Sequence, residues 1–308
     1  MKFIQSIFKE AKPLDILCLM KENKAILLLL LASLIWGFTF AFQSQAADNI
    51  GPFMYNGIRM CIGFVVLLPL VVKILKDKDR QYIRSLFIHG SICGILIGAA
   101  SMVQQVGIGY TTAGKAGFIT SLYTLLVPIL SLLVGKKVSK KIWLCVLGGL
   151  VGAFLLSING EGGIGKGDII IFFCAVLFAL HIMYIDRYGK AFNGVDLSAF
   201  QFLTAGIICL LIGSFTETTT LDNIKNAIVP ILYAGIGSCG IAYTLQVVGQ
   251  KYVQPTKATL ALSLESAWSV VGGAIILGET MTARELLGCL ILFISVVIAQ
   301  LPEKKRKA

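Results

Sequence analysis

Three ionisable side chains lie inside apolar stretches, where they invite chemistry. Glu265 stands in residues 257–277 (KATLALSLESAWSVVGGAIIL), Arg59 in the run 53–75 and His181 in the run 167–188. A carboxylate midway along a segment of this kind costs about 2.5–3.5 kcal/mol or more to place in a bilayer, so it turns toward a cavity or a partner. Glu265 could bind a proton or a solute amine, or it could hold two helices together through a hydrogen bond. His181 could relay protons and could hydrogen-bond Glu265 if their helices are neighbours; as a satisfied structural group it would do neither. Arg59 could take an anionic group, although snorkelling toward the surface or pairing with backbone carbonyls is the weightier reading. One pattern resembles an enzymatic pair, His181 followed five residues later by Asp186. On a helix that spacing sets the two side chains ~140° apart and ~7.5 Å along the axis, so they do not converge on one carbonyl.

Other residues could complete a solute path. Gln104, Gln201 and Gln246 are amides inside apolar runs, each needing a partner, and Thr39 and Ser101 add hydroxyls. Trp36, Tyr123, Tyr243 and Trp268 could line a cavity or could be ordinary packed aromatics. Lys115 and Lys257 open two of the runs, as gates or as interfacial anchors. The 8 cysteines are scattered singly without a CxxC pair and read as small buried hydrophobes, so no metal and no cofactor are expected. Residues 160–167 are glycine-rich but lack the GK[ST] ending of a phosphate-binding loop, which points away from ATP and toward gradients as the energy source.

The elements that must position these residues are membrane helices. The chain is 56% hydrophobic and only 14% charged, with a mean hydropathy of +0.84, whereas globular chains carry about 25% charged residues. Apolar runs of the ~20 residues that cross a hydrocarbon core recur at 25–46, 53–75, 85–108, 115–134, 141–158, 167–188, 198–215, 228–249, 257–277 and 284–301. The expected fold is an all-α polytopic membrane protein of ten transmembrane helices. Residues 1–24 form a basic cytoplasmic segment in which Phe3, Ile4, Ile7, Phe8 and Ala11 recur at helical spacing until Pro13 interrupts, compatible with an interfacial amphipathic helix or a basic tail. Residues 302–308 form a basic cytoplasmic tail. With the N-terminus inside, twenty-two of the 27 Lys and Arg fall in inner segments and four in outer loops, which fixes both termini as cytoplasmic. The net charge of +11 is therefore a topology signal, and no nucleic-acid partner is expected.

An internal repeat organises the runs. Gly98, Ala100, Gln104, Gly107, Tyr110 and Lys115 reappear 142 residues later as Gly240, Ala242, Gln246, Gly249, Tyr252 and Lys257. The same offset superposes the ends of most runs, giving two five-helix repeats, 25–158 and 167–301. Five is odd, so the second copy enters the membrane upside down, a frequent plan among secondary transporters. The offset pairs Thr39 with His181, Arg59 with Gln201, Ser101 with Tyr243 and Tyr123 with Glu265. At ~1.5 Å per residue His181, Gln201, Tyr243 and Glu265 lie roughly 9–12 Å from the inner ends of their helices, and their counterparts lie as deep from the outer side. Two mirrored polar belts with apolar material between them are expected.

The ordered set of stretches resembles the EamA-type transporters of the drug/metabolite transporter superfamily, over 25–301. In the first copy the matching residues are Leu34-Ile35-Trp36-Gly37 and Phe118-Ile119-Thr120-Ser121-Leu122-Tyr123 through Val127-Pro128. In the second they are Ala242-Tyr243-Thr244-Leu245-Gln246, Gly249-Gln250-Lys251-Tyr252, Leu262-Ser263-Leu264-Glu265 and Leu277-Gly278-Glu279. The resemblance implies a ten-helix inverted-repeat fold and gradient-driven transport, often outward, of small organic solutes such as amino acids. Ser266 stands where many relatives have Pro, so nothing in the residues signals a helix break after Glu265. The expected partners are a small-molecule solute and the lipid bilayer, the expected place is the plasma membrane of a bacterial cell, and a homo-oligomer is compatible. An intramembrane enzyme or a non-transporting scaffold is the alternative.

Overall fold

The computed structural model describes residues 13–111, 113–157, 165–278 and 282–301. Their regular structure is helical throughout. The helices are α1 (Pro13–Ala47), α2 (Pro52–Leu75), α3 (Arg80–Ile108), α4 (Ala113–Ser121 continued by Tyr123–Leu133), α5 (Lys140–Ser157), α6 (Lys166–Tyr188), α7 (Gly194–Thr216), α8 (Ile228–Gln250), α9 (Pro255–Leu277) and α10 (Ala283–Gln300). Among the described residues eight segments, within α1–α4 and α6–α9, are long and apolar enough to cross a membrane. The expected amphipathic helix falls mainly on residues 1–12, outside the described residues. From Pro13 onward the chain is already α1.

Packing follows the repeat. α1 packs on α8 and α9 while α6 packs on α3 and α4; α2 packs on α7 and α8 while α7 packs on α2 and α3. Each copy thus buries its first three helices against the other copy. Equivalent helices run antiparallel where they touch. Gly57 and Gly213 of α2 and α7 approach Leu210 and Met54, and Gly148 and Gly152 of α5 approach Ser295 and Leu292 of α10. Antiparallel pairing of equivalents is the geometry of an inverted repeat.

Small residues set these distances, as expected where lipid is as apolar as leucine and helices associate by close contact. A Cβ on Gly152 would lie 2.7 Å from both Gly288 O and Leu292 N. Gly152→Leu should therefore push α10 off α5 and lower the melting temperature in detergent, with a cost of about 1–3 kcal/mol for overpacking. An unchanged melting temperature would show that this contact is loose. At the C-terminal end of α7, Glu217 accepts from the amides of Phe53 and Met54 at 2.9 and 2.8 Å. These are free N–H groups of the first turn of α2, so a carboxylate there caps the helix from a neighbour.

Three helices differ from simple spans. α4 and α9 are interrupted near their centres, at Leu122 and at Ser263–Leu264, positions again 142 apart. The backbone there tightens to three-residue bonds, Leu122 N to Ile119 O and Ser266 N to Ser263 O. No proline is needed at Ser266: its hydroxyl instead donates to Gly117 O of α4 at 3.2 Å. In α8, residues Tyr233–Tyr243 form wide π turns, in a stretch holding Gly235, Gly237, Ser238 and Gly240 where α1 and α2 press close. Such widened turns are rare and concentrate at functional sites.

Candidate functional site

The interruptions of α4 and α9 face one another. Tyr123 and Glu265 are the first residues beyond them, and Tyr123 OH donates to Glu265 Oε1 at 2.8 Å. The bond joins repeat equivalents. It also merges the two polar belts expected from the residues. Glu265 is the eleventh residue of α9 and Tyr123 the eleventh of α4, so both sit at mid-helix rather than toward opposite ends. The helices begin a little earlier than hydropathy suggests, and they approach each other at their middles.

A small cavity borders the bond. Its wall takes Trp36, Thr39, Phe40 and Gln43 from α1, Arg59 from α2, Gln104 from α3, and Thr120 and Tyr123 from α4. The second copy adds Phe178 and Ile182 from α6, Ser238, Tyr243 and Gln246 from α8, and Glu265 from α9. Its volume is ≈ 30 Å³, about the share of one water in the liquid. That is far below the ~300–1,000 Å³ of ordinary small-molecule sites.

Polar groups line it unevenly. Gln43 donates to Gln104 Oε1 at 3.2 Å and to Gln105 Oε1 at 3.0 Å, and Gln104 donates to Thr120 Oγ1 at 3.2 Å. Thr39 returns its hydroxyl to Ile35 O. Arg59 is 2% exposed, its Nε donates to Asn56 Oδ1 at 2.8 Å, and its guanidinium lies 5.5 Å from the Tyr55 ring. Arg59 does not snorkel outward; it is buried in the wall. Among the described residues no carboxylate lies within 4.0 Å of Arg59 and no cationic side chain within 4.0 Å of Glu265. Gln246 Oε1 and Trp36 Nε1 are buried without a hydrogen-bond partner among the described residues. Buried polar atoms of this sort are ordinarily satisfied, so the wall holds unspent hydrogen-bonding capacity along with one acid and one guanidinium that make no ion pair.

His181 and Gln201 do not join this wall. His181 Nε2 pairs with Gln201 Oε1 at 2.9 Å, behind Tyr243, whose ring meets the imidazole edge-on at 6.4 Å. The bond from His181 to Glu265, open only if their helices were neighbours, is not formed: α6 presents Phe178 and Ile182 to the cavity and turns His181 toward α7. Asp186 likewise binds Lys136 and not His181. Trp268 packs against Gly37, where a Cβ would meet Trp268 Cβ at 2.1 Å, and so keeps α1 close to α9. Lys257 forms an ion pair with Glu22 at 2.9 Å, joining the N-terminal part of α1 to the start of α9; the side chain of Lys115 lies outside those described. Gln43, Thr120 and Ser238 are wall residues that the residue patterns did not single out. The one signal for Gln43 is an amide inside an apolar run.

Comparison with known proteins agrees with this architecture. The EamA-like transporter family matches residues 23–158 and again 165–300, copies displaced by the same 142 residues. A protein of Archaeoglobus fulgidus named an uncharacterized transporter is 34% identical over 282 residues, covering 91% of this chain and 87% of its own. The uncharacterized transporter YoaV of Bacillus subtilis is 21% identical over 295 residues, covering 92% and 99%. One crystal structure superposes with a TM-score of 0.74 at 18% identity over 90% of this chain and 96% of its own, a likeness of fold alone. The chain belongs to the EamA-like transporter family.

Proposed function

We propose that the protein is a gradient-driven exporter of a small organic metabolite bearing an acid or amino group, an amino acid or amine among the candidates, and that it works by alternating access. The observation that carries this reading is the central cavity, where Arg59 and Glu265 stand without partners of opposite charge at the crossing of two inverted repeats. A zwitterion would meet both, its carboxylate on Arg59 and its ammonium on Glu265. A carboxyl buried without a cation carries an uncompensated desolvation cost, and a proton or a solute ammonium would offset it in turn. The small volume supports an occluded state between two open ones, with the interruptions of α4 and α9 and the π turns of α8 as the places where the backbone can give.

In this reading α5 and α10 also cross the bilayer, making ten spans. Both termini lie on the cytoplasmic side of a bacterial plasma membrane, and the protein acts on its solute without enzymatic change. Reconstitution into liposomes with labelled amino acids, amines and sugars should reveal saturable flux that responds to a pH gradient. Absence of flux for all of them, together with hydrolysis or transfer on a lipid substrate, would overturn the reading. Lys225→Cys should react with an impermeant thiol reagent applied from outside; reaction only from inside would reverse the orientation.

A further inference from the structure

A second cavity, of ≈ 410 Å³, opens where the ends of α4, α6 and α8 meet the start of α9. That volume falls in the range of small-molecule sites. Lys136, Lys137, Lys190 and Lys251 stand around it, and Asp186 is the one acid in its wall, already bound to Lys136. Among the described residues Lys137, Lys190 and Lys251 have no carboxylate within 4.0 Å. Lys251 donates to Phe192 O, and burial presses it below the usual lysine range while Asp196 opposes the shift. An anion beside it would stabilise its charged form. Gln254, Pro255 and Thr256 also line the cavity. They open α9, and Gln254 makes no side-chain cap, so the positive end of the helix dipole adds to the lysines.

We propose that this cavity is a binding site for an anion bearing phosphate or carboxylate groups. Lysines on an inner face serve topology wherever they lie, and charge alone would mean nothing. The connection between α2 and α3 shows the contrast: Lys73, Lys76, Lys78 and Arg80 are exposed and interleaved with Asp77 and Asp79. At the second cavity the lysines surround a concave space together with a helix start, and acids are nearly lacking. The two cavities also share walls from α4, α6, α8 and α9. Ile182 belongs to the central wall and Asp186, one helical turn along α6, to the basic wall. Between them Ser131 of α4 touches Met183 of α6 at 3.5 Å. Resting on the transport reading, the basic cavity is the inner loading station, and the acid group it takes is the one that Arg59 receives next.

The binding claim is tested without flux. Inorganic pyrophosphate titrated calorimetrically into the full-length protein in phosphatidylcholine nanodiscs should bind saturably. The double variant Lys137→Gln/Lys190→Gln should weaken binding about tenfold or more, a loss of about 1.4 kcal/mol. Lys73→Gln/Lys76→Gln, which removes the same charge from the same face, should leave it unchanged. If a lipid headgroup is the occupant, phosphatidylglycerol in the disc should compete with pyrophosphate in the wild type and not in Lys137→Gln/Lys190→Gln; if a soluble anion is, the lipid should have no effect. Unsaturable binding, or equal affinity in all three proteins, overturns the site. Intact binding with no flux of any solute would instead remove the transport reading and leave the site standing.

Discussion

Glu265→Gln is expected to fold normally and to transport without responding to pH. Glutamine keeps the shape of the side chain, and its carbonyl can still accept from Tyr123 OH, which lies 2.8 Å from Glu265 Oε1. It can neither take a proton at neutral pH nor pair with an ammonium. Hydrogen bonds to charged groups contribute about 1.5–3 kcal/mol, so apparent affinity for an amine-bearing solute should fall roughly 10–100-fold. Flux in proteoliposomes at a series of pH values checks both parts, with melting temperature as the control for folding. Tyr123→Phe, which removes the donor and leaves the carboxyl, should retain a pH response. A Glu265→Gln protein whose flux still varies with pH as the wild type does would assign Glu265 to packing.

Arg59→Gln should separate stability from function in the opposite direction. It places in the first copy the amide that the second copy holds at the equivalent position, Gln201. A guanidinium 2% exposed and without a carboxylate partner is costly to keep, and replacing buried charge by a neutral group of similar shape is often neutral or stabilising. Asn56 would lose one bond, yet it still donates to Pro52 O and Ser101 O. The melting temperature should hold or rise, while flux of an acid-bearing solute falls roughly 10–100-fold, as expected when a charge-assisted contact is removed. A lowered melting temperature with undiminished flux would make Arg59 a structural residue. An amine lacking any acid group should be little affected, which distinguishes loss of recognition from general damage.

Much of this arrangement is legible in the amino-acid sequence. The 142-residue offset emerged from polar and small residues such as Gln104 and Gln246, because a buried amide or a glycine at a close crossing tolerates few replacements of other size or polarity. That offset located the equivalence of Tyr123 and Glu265. It could not reveal their contact, which depends on where α4 and α9 cross and on interruptions made without proline. Helix phase was the other blind spot. In α6, Phe178 and Ile182 face the cavity while His181, adjacent to Ile182 in sequence, faces Gln201. A helix apolar all round carries no amphipathic stripe to orient it, so a lone polar residue marks burial without saying toward which neighbour. Gln43 was hidden for a related reason. It lies four residues before the end of α1, a depth where an amide passes for interfacial, but α1 is covered there by α3, whose Gln104 and Gln105 receive it.

The Tyr123–Glu265 bond has a consequence for how such a chain could arise. On a two-fold axis between identical subunits, equivalent residues meet their own copies, so the crossing would hold two tyrosines or two glutamates. A pair of carboxylates that close cannot both be charged, and two phenols leave no acid to titrate. Only when the two copies differ in sequence at this position can one supply the donor and the other the acceptor. The single acid at the centre of the molecule is thus a product of broken symmetry, and neither half could serve as its own partner with the same chemistry.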